Sequence, residues 1–253
     1  YKLYEEVQMF AIGTRFFGKD EGKDLPRLEK FIDAAILMAG AGNVYVAVNT
    51  EEDKVGTLRF IEKKYNGVTA FAVTPWQKFV PPLNAIVYKA ALGKANCLLL
   101  SSAEFPPLPA AVMQLREHLD ENTLVAGARF SEHQFMKGES AGTGVTVPWN
   151  TFALWNMKHL PKLGFAMAGD APFDQSKAGV EELVTIALFQ KVYGRSRCQA
   201  KLVSVPGFYE EWNMEGWDRE RLDRHEKKIH SKAARPAAQL NYAELVMPTV
   251  LHI

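Results

Sequence analysis

The sequence predicts an α/β fold, a mainly parallel sheet with helices on both faces. Three observations point to it. Short apolar runs alternate with longer segments whose apolar residues recur at helical spacing. Polar loops rich in Gly, Asn or Ser follow the apolar runs. The connections are short, and strands joined this way need crossover helices, whose right-handedness places every loop that follows a strand on one rim of the sheet.

The first strand is read in Val7, Gln8, Met9, Phe10, Ala11 and Ile12, ending at Gly13, and a polar loop over 13–24 follows. Leu25, Leu28, Phe31, Ile32, Ala35, Ile36 and Ala39 then mark a one-sided helix. Asp24 is its expected cap, Pro26 suits its first turn, and Gly40 stops it. The second strand covers 44–48 and runs into Asn49, Thr50, Glu51, Glu52 and Asp53. A helix over 54–65, the turn Asn66-Gly67 and a third strand over 68–73 come next. The loop over 74–82 carries Trp76, Lys78 and Phe79.

A helix from Asn84 to Gly93 leads into a fourth strand over 97–100, then an abrupt polar cluster, Ser101, Ser102, Ala103 and Glu104, and two prolines. In an open parallel sheet ligands sit outside the carboxyl ends of the strands. That corner is therefore the part the rest of the chain frames. Leu108, Ala111, Val112, Leu115 and Leu119 mark another helix, and 122–130 reads as a strand.

Past Phe130 the rhythm changes. Residues 131–146, with Gly138, Gly142 and Gly144, read as a loop, and 148–165 carries Trp149, Trp155 and His159 without a clear element. After a further loop over 169–179, a helix over 180–193 opens with Glu181-Glu182 and closes at Gly194, which suits both ends of its dipole. A strand over 200–205 and a charged helix over 218–232 complete the readable elements. Tyr242 to Ile253 is too apolar to stand free. The expected division is one α/β domain over 1–210, and a C-terminal helical extension over 211–253 that packs on it or on a second subunit.

Composition removes several classes. A net charge of +1 gives no basis for nucleic acid binding. No apolar run approaches the ~20 residues of a transmembrane segment. Two cysteines make no disulfide framework, and no Cys/His cluster has zinc spacing. The opening residues do not read as a secretory signal, so a cytoplasmic location is expected.

The order of these features resembles the family-2-like GT-A glycosyltransferases of the nucleotide-diphospho-sugar transferase superfamily, which have a Rossmann-like sheet. The likeness covers about residues 7 to 195. Phe10 to Arg15 resembles the family's opening strand and its "IPTRN" end, which implies nucleotide contacts from Gly13, Thr14 and Arg15. Val46 to Thr57 is similar to the second strand and the loop that helps bind the base, which implies Asn49, Glu51 and Asp53. Asn84 through Gly93 to Leu100 resembles "arN-x-(7–9)-G-d-x-ilfLD", which implies Asn84, with Ser101 and Ser102 at the strand end. Glu181, Glu182 and Leu183, leading to Gly194, look like the helix that carries the base in inverting members.

One departure stands out. The family has Asp-x-Asp after the fourth strand, where carboxylates hold Mn2+ or Mg2+ against the diphosphate. Here Ser101 and Ala103 replace both acids in one register, and Ser102 and Glu104 replace them in the other, which keeps Glu104 as the one candidate metal ligand. Without metal the leaving diphosphate needs cations such as Arg15, Lys19, Lys78 or Arg129.

The resemblance implies a hexosyltransferase-type reaction, in which a sugar passes from a UDP- or GDP-linked donor to an acceptor hydroxyl. Neighbours on a helix point about 100° apart, so one of the two glutamates faces the site. Glu182 is the first choice as base and Glu181 the second; acids at a helix start are also simply favourable there. Asn84 also reads as a helix cap. Trp149 and Trp155 suit either stacking on a sugar or core packing. Two other functions stay open: a non-catalytic GT-A-like protein that binds a nucleotide or a partner, and a sugar nucleotidyltransferase hinted at by Gly13-Thr14-Arg15-Phe16.

Overall fold

A computed structural model describes residues 10–18, 20–49, 56–208, 219–220, 222–223, 231–232 and 235–253. The near-continuous apolar runs become strands buried on both faces: β1 (Phe10–Phe16), β2 (Val44–Val48), β4 (Cys97–Ser101), β5 (Thr123–Ala128) and β7 (Phe152–Asn156). Such runs are what a sheet covered by helices on both sides demands. With β3 (Thr69–Ala72), β6 (Gly138–Ala141), β8 (Gln199–Val203) and β9 (Thr249–His252) they form one nine-stranded sheet, in the order β3-β2-β1-β4-β7-β5-β8-β9-β6.

Two strands run against the rest. β7 is antiparallel to both β4 and β5, and β6 is antiparallel to β9; the other pairings are parallel. The reversal of β7 shapes the carboxyl rim, because the start of this strand, not its end, lies there. Phe152 pairs with Ser101, and the Ser102 N–H donates to the Thr151 carbonyl at 3.1 Å. Residues 150–151 are thereby delivered beside the end of β4.

The helices are α1 (Glu21–Ala39), α2 (Thr57–Lys64), α3 (Val80–Leu92), α4 (Pro109–Glu117), α5 (Glu181–Tyr193) and α6 (Arg235–Tyr242). α1 starts before the expected cap. Asp20 is its N-cap, and Asp24 lies inside the first turns, where its Oδ2 accepts the Asp20 N–H at 3.0 Å. α3 likewise begins at Val80, so Asn84 is an interior residue and not the cap. The end of β1 meets α3 closely, because a Cβ on Gly13 would run into Ile86 Cγ2. α5 is buried on nearly every side, including its two glutamates, which fits a helix without a polar face.

Three of the described strands arise where the sequence predicts none. β6 arises within 131–146, β7 within 148–165, and β9 within the terminal apolar stretch. The sheet therefore runs across residue 210, with β9 placed between β8 and β6. The start of the first expected strand (Val7 to Met9) and most of the charged helix expected over 218–232 lie outside the described residues. Among the described residues no helix is long and apolar enough to cross a membrane.

The core spans the sheet, and Trp155, Phe31, Phe130, Phe152, Phe165 and Phe189 are its largest fully buried side chains. Each such side chain contributes about 1.5–3 kcal/mol by leaving water. Trp155 packs edge-on against Phe165, with ring centroids 4.8 Å apart. That contact fixes the start of the 165–180 segment over β7.

Candidate functional site

Asn150 organises the rim. Its backbone N–H donates to Glu182 Oε1 at 2.5 Å, its Nδ2 donates to Glu181 Oε1 at 3.1 Å, and its Oδ1 accepts the Trp155 indole N–H at 2.8 Å. One residue thus joins both candidate carboxylates to the buried tryptophan of β7. Arg15, near the end of β1, completes the group: Nη2 lies 3.7 Å from Glu181 Oε1, and the guanidinium carbon sits 4.9 Å from the centre of the Phe79 ring.

The local chain makes this arrangement possible. Val180, just before α5, has a φ of 63°, which turns the helix start sharply toward the rim. Gly169 passes so close to Glu181 that a Cβ on it would lie 2.6 Å from the Glu181 Cβ. Thr185 Oγ1 donates to the Glu181 carbonyl at 2.7 Å and accepts the Ala166 N–H at 3.0 Å. Asp170 accepts N–H groups from Phe79 at 2.7 Å and Val80 at 3.1 Å, and so caps α3.

Arg15, Gly13 and Asn150 line a cleft of about 140 Å³ together with Ser101, Ser102, Glu104 and Thr151. Larger hollows of about 310 and 340 Å³ lie elsewhere, around Glu139, Arg195 and Thr249 at the β6–β9 end of the sheet. Position, not size, singles out the 140 Å³ cleft, which lies where the ends of β1 and β4 meet the start of β7.

Electrostatics separate the two glutamates. Burial, and then the adjacent Glu181, push the Glu182 carboxyl up to about 8. Glu182 is therefore mostly protonated near neutral pH. Burial also raises Asp170, against the opposing effect of the amides it accepts. His133, buried beside Trp149, is pushed down to about 3, chiefly by burial, so it is neutral. Its Nδ1 accepts the Phe130 N–H at 2.9 Å.

The slot after β4 has its own arrangement. Ser101 is buried, and its hydroxyl donates to the Phe105 carbonyl at 2.7 Å. Ser102 Oγ accepts the Glu104 N–H in a long contact of 3.4 Å. Glu104 Oε1 pairs with Arg27 Nη1 at 3.1 Å, and Arg27 Nη2 pairs with Asp24 Oδ1 at 2.7 Å. Among the described residues no three His, Cys, Asp or Glu side chains are grouped to hold a metal ion. The donor set does not fit a divalent cation, which wants several oxygen ligands.

The other sequence candidates divide. Thr14 is buried under the rim and Asn49 is buried just past β2, with its N–H on the Phe16 carbonyl at 3.4 Å. Asn84 bonds the Phe165 N–H at 2.7 Å and the Phe165 carbonyl at 3.1 Å, which anchors the 165 segment to α3. Glu51 and Asp53, and Lys19 among the candidate cations, lie outside the described residues. Trp149 and Trp155 are both core residues: Trp155 is fully buried, and the Trp149 indole N–H donates to the Gly144 carbonyl at 2.9 Å. His159 is buried as well, with Nε2 2.7 Å from the Glu121 carbonyl.

Three residues of the site stand outside the sequence candidates. Asn150 precedes a strand hidden in a region read without a clear element, Asp170 sits in a stretch read as loop, and Arg27 is one charged residue among several on α1. A usable signal does exist for Asn150. Trp149-Asn150-Thr151 breaks a buried apolar run just before Phe152-Ala153-Leu154-Trp155, the pattern of a strand start.

No protein-family model matches the sequence, and a search of curated proteins finds no significant match. Solved structures do match. A mannosyltransferase from Pyrobaculum calidifontis, in complex with GDP-Man and Mn2+, aligns with a TM-score of 0.54 at 13% identity, over 93% of this chain and 73% of that one. Glucosyl-3-phosphoglycerate synthase from Mycobacterium tuberculosis, in complex with Mn2+ and UDP-glucose, aligns with a TM-score of 0.53 at 11% identity, over 100% of this chain and 90% of that one. The same enzyme with phosphoglyceric acid gives a TM-score of 0.50 at 12% identity, over 92% and 80%. What is shared at this identity is the fold. The chain has a GT-A-like fold, as its motif order implied.

Proposed function

We propose that this protein binds a nucleoside-diphosphate sugar in the rim cleft and transfers the sugar to an acceptor hydroxyl. The observation that carries the reading is the cleft at the carboxyl rim of a GT-A-like sheet, lined by Arg15 and Asn150, the two residues that hold Glu181. The GDP-Man and UDP-glucose held by the two similar structures support a donor of the same class.

In the step, the acceptor oxygen bonds to the anomeric carbon while that carbon's bond to the diphosphate breaks. The bonding pair leaves with the nucleoside diphosphate, and the hydroxyl proton passes to a carboxylate. Glu181 is the better placed of the two candidates, because both of its partners, Arg15 and Asn150, line the cleft. Burial and the neighbouring Glu181 favour the protonated form of Glu182, and a protonated carboxyl cannot accept the proton. It serves instead to hold the Asn150 backbone. Arg15 is the cation paired with this group, and a guanidinium suits the charge that develops on a leaving diphosphate.

The test is calorimetric titration of UDP- and GDP-sugars into the protein, coupled to an assay for nucleoside diphosphate release. Glu181→Gln is expected to lower turnover by about 10²–10⁴-fold, the usual contribution of a positioned acid or base, with donor affinity changed only a few-fold. A second reading is non-catalytic nucleotide binding, favoured by the arginine partners of both Glu104 and Glu181. Binding without any turnover, indifferent to Glu181→Gln, would establish that reading instead.

A further inference from the structure

The pair formed by Arg27 and Glu104 lies where a GT-A-like sheet offers a strand-end carboxylate to its ligand. Arg27 reaches it from the second turn of α1, after β1, and the same guanidinium holds Asp24. The hydroxyl at the end of β4, that of Ser101, is buried and bonded to the Phe105 carbonyl. A hard divalent ion approaching Glu104 would meet carboxylates that a positive charge already holds, 3.1 Å from Glu104 and 2.7 Å from Asp24.

We infer that Arg27 stands where a divalent cation would otherwise stand, so that the cleft takes its nucleoside diphosphate without a divalent metal. The ligand named here rests on the proposed function; the pairing of Glu104 does not. A guanidinium is well suited to the substitution. Its five N–H donors lie in a planar fork, so one group can hold two carboxylates and still meet a phosphate oxygen. It also stays charged at any working pH. Arg15, which lines the same cleft as Ser101, Ser102 and Glu104, supplies a second guanidinium.

Two measurements on the full chain test this, and the first needs no substrate. Mn2+ alone is added to the protein and bound ion is counted by electron paramagnetic resonance. The expected result is no site tighter than about 1 mM, for the wild type and for Glu104→Gln alike. A micromolar site that vanishes in Glu104→Gln would overturn the inference. The second compares UDP- and GDP-sugar binding in EDTA with binding in Mn2+. Wild-type affinity is expected to agree within about twofold, whereas a tenfold loss in EDTA would overturn the inference.

Arg27→Met is expected to weaken binding about tenfold in EDTA and to regain it when Mn2+ is added, because Glu104 is then released to the ion. Adding Glu104→Gln to that variant should abolish the recovery. Should Arg27→Met fail to fold, the wild-type and Glu104→Gln measurements still decide the matter. If no nucleotide sugar binds at millimolar concentration with or without Mn2+, the proposed function fails, and the resonance experiment alone decides the role of Glu104.

Discussion

At the scale of single residues, the adjacent glutamates of α5 show how position on a helix start divides labour. Both are buried, yet Glu181 is held by the two groups that line the cleft, while Glu182 is closed off against the Asn150 amide. The raised Glu182 carboxyl makes a prediction about stability. In the unfolded chain a glutamate titrates near its ordinary value of about 4.3. In the folded protein Glu182 keeps its proton to about 8. Between those values the native state binds more protons than the unfolded state, so stability falls as pH rises. The loss begins above the unfolded value and levels off once pH has passed the folded one. Glu182→Gln removes that contribution, so in urea denaturation the variant should lose less stability from about pH 5 to about pH 8 than the wild type. Asp170, which burial also raises, leaves a residual slope of the same sign in both proteins.

At the scale of elements, the loop that carries Asp170 is the link between α3 and α5. Its carboxylate caps the first amides of α3, and the neighbouring Gly169 abuts Glu181. Asp170→Ala should cost about 1–2 kcal/mol in chemical denaturation, the usual cost of losing a helix cap. Asp170→Asn keeps an acceptor oxygen and should cost less. The parallel half of the sheet is legible in the sequence because β1, β2, β4 and β5 are unbroken apolar runs followed by polar strand ends. β6 is not, since Gly138-Glu139-Ser140-Ala141 lies at a sheet edge where alternate residues face water and no apolar signal is needed. β7 is obscured for another reason: its Trp155 suits a sugar stack as well as a core, and the folded chain buries it. Arg15, Ser101, Ser102 and Glu104, which motif order singles out, do share one cleft. Asn150 and Arg27 are not singled out, because both act through pairings that exist only once the strands have closed.

At the scale of the whole molecule, the nine described strands make one sheet, and the cleft at its carboxyl rim is lined from the ends of β1 and β4 and from the start of β7. The reversal of β7 is what brings Asn150 to the same rim as Arg15. The other end of the sheet depends on β9, which pairs with Ala200 to Leu202 of β8 on one side and with all four residues of β6 on the other. Deleting residues 249–253 should leave β6 without this neighbour and uncover the edge of β8. Such an open edge invites pairing with other chains. The expected outcome is loss of the monodisperse species in light scattering, while a truncated protein that stays monodisperse with unchanged melting would contradict the role given to β9.

That strand has a consequence in time as well as in space. During synthesis β6 emerges about a hundred residues before residues 249–252, its neighbour among the described strands. Pairings between segments so distant in sequence form late and slowly. A ribosome-bound chain could therefore pair β1, β2, β4, β7 and β5 while the far margin still waits. The loop beside Glu181 waits as well, because Gln239 holds its Gly169 and Gly179 carbonyls. Vectorial growth would then complete the rim and the margin together at the end.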